Sequence, residues 1–401
     1  MARLAQIEPG PPAYVAPGEI ELTILMPCLN EAETIAACVR QALAFLKRTG
    51  TAGEVVVADN GSSDGSQALA ARAGARVVLA PETGYGAALQ AGVAQAWGRY
   101  VIMGHADGGY DFERVDEMLA ALRSGAQLVI GNRFKGGIAP GAMPLLHRYL
   151  RAPALSTVGR LFFRAPIGDF HCGLRGFHRD AVRDLKLQSP GSEFASEMVV
   201  KAALNGLRIR EVATTLAPDS RNRPPRLRTW RDSWLHLRFL LIHSPRWLFV
   251  YPGVVLAAAG LLGVTALIGG QVRLAPGLSL DVHTLTVACF ALLMGVQLVV
   301  FGALARRYAI VEGLLPSSER LKRFLLGLTL ESLLRVALLV FLAGAAGIAW
   351  AGGRWLASGL EPIGDGQVLR VLILSCTAVC AAVQVAAAGF LGSILTLRRR
   401  D

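Results

Sequence analysis

With 53% hydrophobic and only 17% charged residues, this 401-residue chain is poorer in charge than the roughly 25% of an ordinary soluble protein and far too apolar to be disordered. Its 44 Gly and 19 Pro follow no collagen-like period, so fibrous architectures fall away. Lys plus Arg number 41 against 29 Asp plus Glu, and this net +12, nearly all of it Arg, predicts anionic partners: phosphates, nucleotides or an acidic membrane surface rather than a nucleic acid. The six cysteines, Cys28, Cys38, Cys172, Cys289, Cys376 and Cys380, form no CxxC pair, which argues against a zinc module or disulfide framework and fits a reducing compartment.

Residues 1–19 hold Pro9, Pro11, Pro12 and Pro17 and no apolar run, so they read as a flexible lead-in, not a cleaved signal peptide. An α/β domain is expected over 20–217. The spacing predicts strands at Leu22–Met26, Glu54–Ala58, Arg76–Leu79, Tyr100–Met103 and Gln127–Ile130. Helices are predicted between them at Glu31–Lys47, Ser66–Ala73, Tyr85–Trp97 and Phe112–Ser124. Such alternation implies a mainly parallel sheet with ligands at the carboxyl ends of its strands. Residues 218–247 combine an Arg-rich loop with an amphipathic run, Trp234–Leu241, and 248–401 read as a membrane domain. There Leu248–Gly270, Val282–Ala305, Leu333–Gly352 and Val368–Leu395 each reach the roughly 20 residues of a bilayer crossing. Arg246, then Arg306, Arg307, Arg320, Lys322 and Arg323, then Arg398, Arg399 and Arg400 flank alternate ends of these stretches, so the positive-inside rule puts both termini and the α/β domain in the cytoplasm. Glu331 and Arg335, four residues apart, are expected to pair.

The strand ends carry the polar residues. After the first strand comes Pro27-Cys-Leu-Asn30-Glu31; after the second, Asp59-Asn60-Gly61-Ser62-Ser63-Asp64-Gly65-Ser66. The latter suits a nucleotide's base and ribose, or equally an Asx-rich turn with Asp64 as a helix cap. After the fourth comes Gly104-His105-Ala106-Asp107-Gly108-Gly109-Tyr110-Asp111, where a carboxylate flanked by glycines can hold a hard cation bridging two phosphates.

Together with Gly84-Tyr85-Gly86-Ala-Ala-Leu89, Gly131-Asn-Arg133 and Asp169-Phe-His-Cys-Gly-Leu-Arg175, this ordered series resembles family 2 glycosyltransferases of the GT-A fold, most closely the polyprenyl-phosphate sugar transferases. The resemblance covers about Ile20 to Trp247. It implies transfer of a sugar from a UDP- or GDP-linked donor to an undecaprenyl- or dolichyl-type phosphate, with single displacement and inversion. Pro27, Asn30, Glu31, Asp59, Gly61, Ser62, Tyr85, Gly86 and Ala106 would line the nucleotide-sugar site, Asp59 facing the base. Asp107 would bind Mg2+ or Mn2+ on the diphosphate. Arg133 would hold phosphate charge, its other reading being a surface ion pair. The family's Asp-x-Asp is altered: His105 replaces the first Asp and Gly109 a later polar residue. His105 is either a softer metal ligand or a packed imidazole.

Glu197 reads as a positioning residue or a helix N-terminal acid, and Asp111 and Asp169 as positioning residues. Arg221, Arg223, Arg226 and Arg228 can grip a lipid phosphate or serve general lipid attraction. A phosphate monoester's second pKa of about 6 leaves the acceptor oxygen anionic, so no protein base is required. A processive polysaccharide synthase would carry Gln-x-x-Arg-Trp, but Arg246-Trp247 lacks the Gln. Transfer to a hydroxyl lipid would need a base, and a catalytically degenerate membrane scaffold would be consistent with His105 and Gly109. A homo-oligomer is compatible with so thin a membrane part.

Overall fold

The run Leu22-Thr-Ile-Leu-Met26 has β-branched and apolar side chains on both faces, as a strand covered on both sides must, and every residue from Leu22 to Cys28 is buried. The structure is a computed structural model describing residues 20–218, 229–275, 278–311, 329–359 and 366–397. Residues 1–19, the arginines at 221, 223, 226 and 228, Arg320, Lys322, Arg323 and residues 398–400 lie outside them. The chain divides into two compact units, Met1–Ile242 and His243–Asp401.

In the first unit the elements are β1 (Leu22–Cys28), α1 (Ile35–Thr49), β2 (Gly53–Asp59), α2 (Ser66–Arg72), β3 (Arg76–Leu79), α3 (Tyr85–Gln95), β4 (Tyr100–Met103), α4 (Asp116–Arg123) and β5 (Leu128–Asn132). They continue with α5 (Arg133–Gly136), α6 (Ala152–Phe163), β6 (Arg175–His178), α7 (Arg179–Arg183), α8 (Phe194–Leu204), β7 (Ile209–Ala213) and α9 (Thr229–Ile242). The strands form one sheet in the order β3-β2-β1-β4-β6-β5-β7, with β6 alone antiparallel to its neighbours. This is the mainly parallel α/β sheet expected of the GT-A class. The chain runs outward from β1 to β3 and then returns to β1's other side at β4. The ends of β1, β2 and β4 therefore flank a topological switch point, where α/β sheets open a crevice.

Three predicted helix boundaries move. The helix expected from Glu31 begins at Ile35, because Asn30 adopts a left-handed backbone (φ 56°) while the Glu31 and Ala32 N–H groups donate to Ser66 Oγ (2.8 Å) and Asp64 Oδ2 (3.0 Å). The helix expected over Phe112–Ser124 breaks at Val115 into a 3-10 turn, Phe112–Arg114, and α4. The helix expected to reach Trp97 stops at Gln95, where Ala96 is extended.

In the second unit a π-type turn, Arg246–Val250, leads into α10 (Tyr251–Leu267), followed by a hairpin of β8 (Val272–Ala275) and β9 (Leu278–Leu280), then α11 (Val282–Val311), α12 (Leu330–Ala357) and α13 (Gly366–Leu397). Among the described residues four helices are long and apolar enough to cross a bilayer: Arg246–Leu267, Val282–Val311, Leu330–Ala357 and Gly366–Leu395. The protein is multi-pass. The expected Glu331–Arg335 pair is corrected: Arg335 Nε donates to the Glu331 main-chain carbonyl (3.3 Å), while the Glu331 carboxylate turns back to its own N–H and the Thr329 hydroxyl at the helix start.

Candidate active site

The loops after β1 and β2 are knitted into one surface. Asp59, fully buried at the end of β2, accepts through Oδ2 from the N–H groups of Gly61 and Ser62 (3.0 Å each) and from Gln67 Nε2 (2.7 Å). Its Oδ1 is buried without a hydrogen-bond partner. Asn30 N–H donates to Ser62 Oγ (2.9 Å) and Asn30 Oδ1 accepts from Ser63 N–H (2.9 Å), so the β1 and β2 loops hold each other. Asp64 accepts from Ser66 N–H (3.0 Å) at the first residue of α2 as well as from Ala32, so it ties the two loops together; the N-cap of α2 is Gly65, in a left-handed conformation, and not the Asp64 expected from the sequence.

Asn60 extends the network. Its Oδ1 accepts from Gly84 N–H (2.7 Å) and its Nδ2 donates to the Glu82 carbonyl (2.9 Å), fixing the approach to α3. The start of α3 is clamped from its other side: Gly86 and Ala87 N–H donate to the Pro190 carbonyl (2.8 and 3.2 Å). A Cβ at Gly84 would stand 2.2 Å from the Pro190 carbonyl and one at Gly86 2.2 Å from that of Ser189, so both positions exclude any side chain.

At the end of β4, His105 lies between two tyrosine rings, 5.1 Å from Tyr85 and 6.2 Å from Tyr110, near-parallel to both. Tyr110 accepts at its hydroxyl from Gly173 N–H (3.0 Å), and a Cβ at Gly173 would fall 2.5 Å from the imidazole. The ring is thus packed as part of an aromatic stack. Asp107 is half-buried and its Oδ1 accepts from Gly109 N–H (2.9 Å). Asp111 caps the following 3-10 turn through Glu113 N–H (2.9 Å) and lies 3.6 Å from Arg114. Among the described residues no three His, Cys, Asp or Glu side chains gather to enclose a metal. One carboxylate in a glycine loop fits a hard ion that keeps water and takes substrate phosphates for its remaining ligands, as Mg2+ does, and does not fit a caged ion.

Arg133 and Asp169 meet in the interior. Arg133 Nε and Nη2 donate to the two Asp169 carboxylate oxygens (2.6 and 2.8 Å), with Asp169 fully buried. The pair is bidentate and largely desolvated, unlike the surface pair that the sequence left open. Glu211 on β7 accepts from Gly168 and Asp169 N–H (2.7 and 3.1 Å) and pairs with Lys135 (2.8 Å). Burial raises its pKa, yet Lys135, Asn132 and those two N–H groups outweigh this and hold the carboxyl below its usual value. Glu197 sits inside α8, paired with Lys201 (2.8 Å) and accepting from Gln188 and Ser189 N–H. It thereby fixes the segment that clamps α3. Pro27, Ala106 and Gly86 belong to the buried frame.

Sequence reasoning passed over Asn60, Glu211 and Arg175. Asn60 stood within the motif after β2 and was legible there. Arg175 is fully buried and donates to the carbonyls of Cys172, Ala195 and Phe170, joining the 169–175 loop to α8. Glu211 gave no local signal, since only the β5–β7 pairing, Ile130 opposite Glu211, brings it to the loop.

The chain thus joins an α/β domain with polar loops at a switch point to four helices long and apolar enough to cross a membrane. The family model for "Glycosyl transferase family 2" matches residues 23–186, and that for the "Glycosyltransferase family 2 C-terminal transmembrane region" matches 303–396. The chain is 39% identical over 284 residues to the Low-salt glycan biosynthesis hexosyltransferase Agl6 of Haloferax volcanii, covering 70% of this chain and 67% of that protein. To Glycosyltransferase AglJ of the same organism it is 34% identical over 293 residues, covering 70% of this chain and 91% of that one. A Dolichyl-phosphate hexose transferase, also from Haloferax volcanii, is 27% identical over 192 residues, covering 48% and 81%. The chain belongs to glycosyltransferase family 2 and is a membrane glycosyltransferase.

Proposed function

We propose that the protein moves a sugar from a UDP- or GDP-linked donor to a polyprenyl phosphate at the cytoplasmic face of the membrane. The observation that carries this reading is Asp59, whose Oδ1 is buried and unpartnered at the switch point, beside the loop that continues from β1. An unmade hydrogen bond of that kind costs about 1–3 kcal/mol, which the ring N–H of a uracil or guanine base would recover. The relative named for dolichyl-phosphate hexose transfer supports the acceptor class.

In this reading Asn30, Glu31, Gly61 and Ser62 shape the nucleotide pocket and Tyr85 closes one wall. Asp107 holds Mg2+ or Mn2+ with the diphosphate; when bound, the ion supplies charge neutralisation for the departing nucleotide. Arg133, already committed to Asp169 and neutralised by it, acts by fixing the loop rather than by direct contact. Residues 218–247, with Arg221, Arg223, Arg226 and Arg228, receive the lipid phosphate, and 248–401 anchor the enzyme. The acceptor is anionic at neutral pH, since its second pKa is about 6, and attacks the anomeric carbon with no side chain taking a proton. Catalysis then rests on alignment and electrostatics.

The test is a panel of radiolabelled UDP- and GDP-sugars with undecaprenyl or dolichyl phosphate, using the full chain in nanodiscs with Mg2+, Mn2+ or chelator. Label should appear in a lipid-linked, mild-acid-labile phosphodiester. Label in a neutral glycolipid alone would overturn the acceptor assignment, and no transfer from any donor would overturn the whole reading.

A further inference from the structure

The 169–175 loop is tied to three helices. Phe170 N–H donates to Ser156 Oγ on α6 (3.1 Å), and Arg175 donates to the Ala195 carbonyl on α8. The third tie, to α9, is made of two imidazoles: the ring of His171 meets that of His236 nearly edge-on, with centroids 4.6 Å apart and planes at 71°. His236 Nδ1 lies 3.0 Å from Ser196 Oγ on α8, in a hydrogen bond that holds its ring in place. α9 also packs against α6 and α8 and buries Leu240 completely. Both nitrogens of the His171 ring are buried without a hydrogen-bond partner among the described residues. A phenyl ring would fill that place without leaving polar atoms unpaired, so packing alone gives no reason for an imidazole there.

We propose that His171 and His236 form a latch that docks α9 on the 169–175 loop, and that the latch holds only while the His171 ring is neutral. The described charged groups around His171 are His236 on α9, Arg175 on β6, Arg133 on α5 and His147 ahead of α6, while Asp169, two residues back, is taken up by Arg133. α8 meets the two rings through Ser196, its acid Glu197 being paired with Lys201. A proton on His171 would find no acceptor and would face these cations. Burial first, then His236, Arg175, Arg133 and His147, push the pKa of His171 well below its usual value. Undocked, the ring regains an ordinary pKa of about 6.5, so docking is complete above that pH and weakens about tenfold per unit below it until the docked pKa is reached. α9 belongs to residues 218–247, proposed above to receive the lipid phosphate. On that reading undocking weakens use of the acceptor, but the latch itself does not depend on it.

The test follows backbone hydrogen–deuterium exchange of the full chain in nanodiscs, without substrate, at pH about 7.5 and about 5.5, corrected for the intrinsic pH dependence of exchange. Protection of residues 234–242 should fall about tenfold between the two, while that of α2 moves by less than about twofold. His171→Phe keeps a ring against His236 and takes no proton, so its 234–242 protection should match the parent's at the higher pH and stay within about twofold at the lower. His171→Ala should lose that protection at both. In the transfer assay, the rise in acceptor KM on acidification should be about tenfold larger for the parent than for His171→Phe; the acceptor's own proton, with a pKa of about 6, shifts both alike and cancels. Protection that follows pH as expected beside KM ratios that do not differ would support the latch and count against the acceptor reading. The same pH dependence of protection in the parent and His171→Phe would overturn the proposal. So would an equal loss of protection in α2 and α9, which would mean general loosening of the domain, or full protection of 234–242 in His171→Ala.

Discussion

At the end of β4, Asp107 stands where the resemblance asks for two acids, because position 105 is a His whose ring is stacked between Tyr85 and Tyr110. The two residues therefore make separable predictions. Asp107→Ala is expected to lower transfer by about 10²–10³-fold, the order seen when one electrostatic contact to a transition state is removed, and chelation should have a comparable effect on the parent enzyme. Retention of normal turnover by Asp107→Ala would remove it from the diphosphate site. His105→Phe preserves a stacked ring but no ligand atom, so its activity should stay within about threefold and its metal titration unchanged if the imidazole acts through packing. A large rise in the metal concentration for half-activity would instead make His105 a ligand. Asp59→Asn should keep the turn at Gly61 and Ser62 through its carbonyl oxygen while turning an N–H toward the base. Nucleotide affinity should fall about tenfold, worth about 1.4 kcal/mol, read as a smaller ligand-induced rise in Tm.

Among the elements, α8 does the least visible task. Glu197 binds the Gln188 and Ser189 N–H groups, and the neighbouring Ser189 and Pro190 carbonyls meet Gly86 and Gly84 at the start of α3. Burial pushes the Glu197 pKa up, but Lys201 and the two N–H groups win, leaving it lowered. A carboxyl depressed in the folded state contributes stability above its unfolded pKa of about 4.3, and that contribution is lost as pH falls through the folded value. The parent Tm should thus drop on acidification below pH about 4.3, and Glu197→Gln should flatten that drop. The same change should cost about 3–5 kcal/mol at neutral pH, because Lys201 is left buried without its counter-charge. It should also raise the donor KM by loosening α3, and an unchanged donor KM would confine Glu197 to stability. What the sequence revealed follows the same division between local and distant. β1 to β5 were legible because short apolar runs alternate with helical ones, and Asp59 and Asp107 because acids after such runs fall at strand ends. β6 was not: Arg-Gly-Phe-His buries an Arg, satisfied by the carbonyls of Cys172, Phe170 and Ala195, where a strand pattern expects an apolar residue. α6 was not read either, because the stripe it buries, Ala152, Ser156, Gly159 and Phe163, has helical spacing but is built mostly of small residues that give little apolar signal. The role of Glu211 depends on tertiary contacts that no spacing encodes, whereas for Glu197 the Lys201 pair is local, four residues on, and only its hold on Gln188 and Ser189 is not.

For the molecule as a whole the question is sidedness. An even number of crossings, such as the four that length and composition allow, would return the chain to the face from which it entered. The cations at Arg246 and at Arg306 and Arg307 stand at the ends of crossings that an even-numbered topology puts on the face of the α/β unit, whereas the β8–β9 hairpin between the first two crossings contains Arg273 as its single cation. On the positive-inside bias, which weighs short loops near the span ends, we propose that the α/β unit faces the cytoplasm. Single cysteines placed through Ser279→Cys in the hairpin and Arg72→Cys in the α/β unit, in a Cys376→Ser, Cys380→Ser background, distinguish the two orientations. In intact cells a membrane-impermeant maleimide should label position 279 and leave 72 untouched until the membrane is opened. The opposite pattern would put the nucleotide loops outside the cell and remove the cytoplasmic donor from the mechanism. Labelling of both positions in intact cells would put them on one face, with an even number of crossings between them, and would take the helix Arg246–Leu267 out of the set that spans the bilayer.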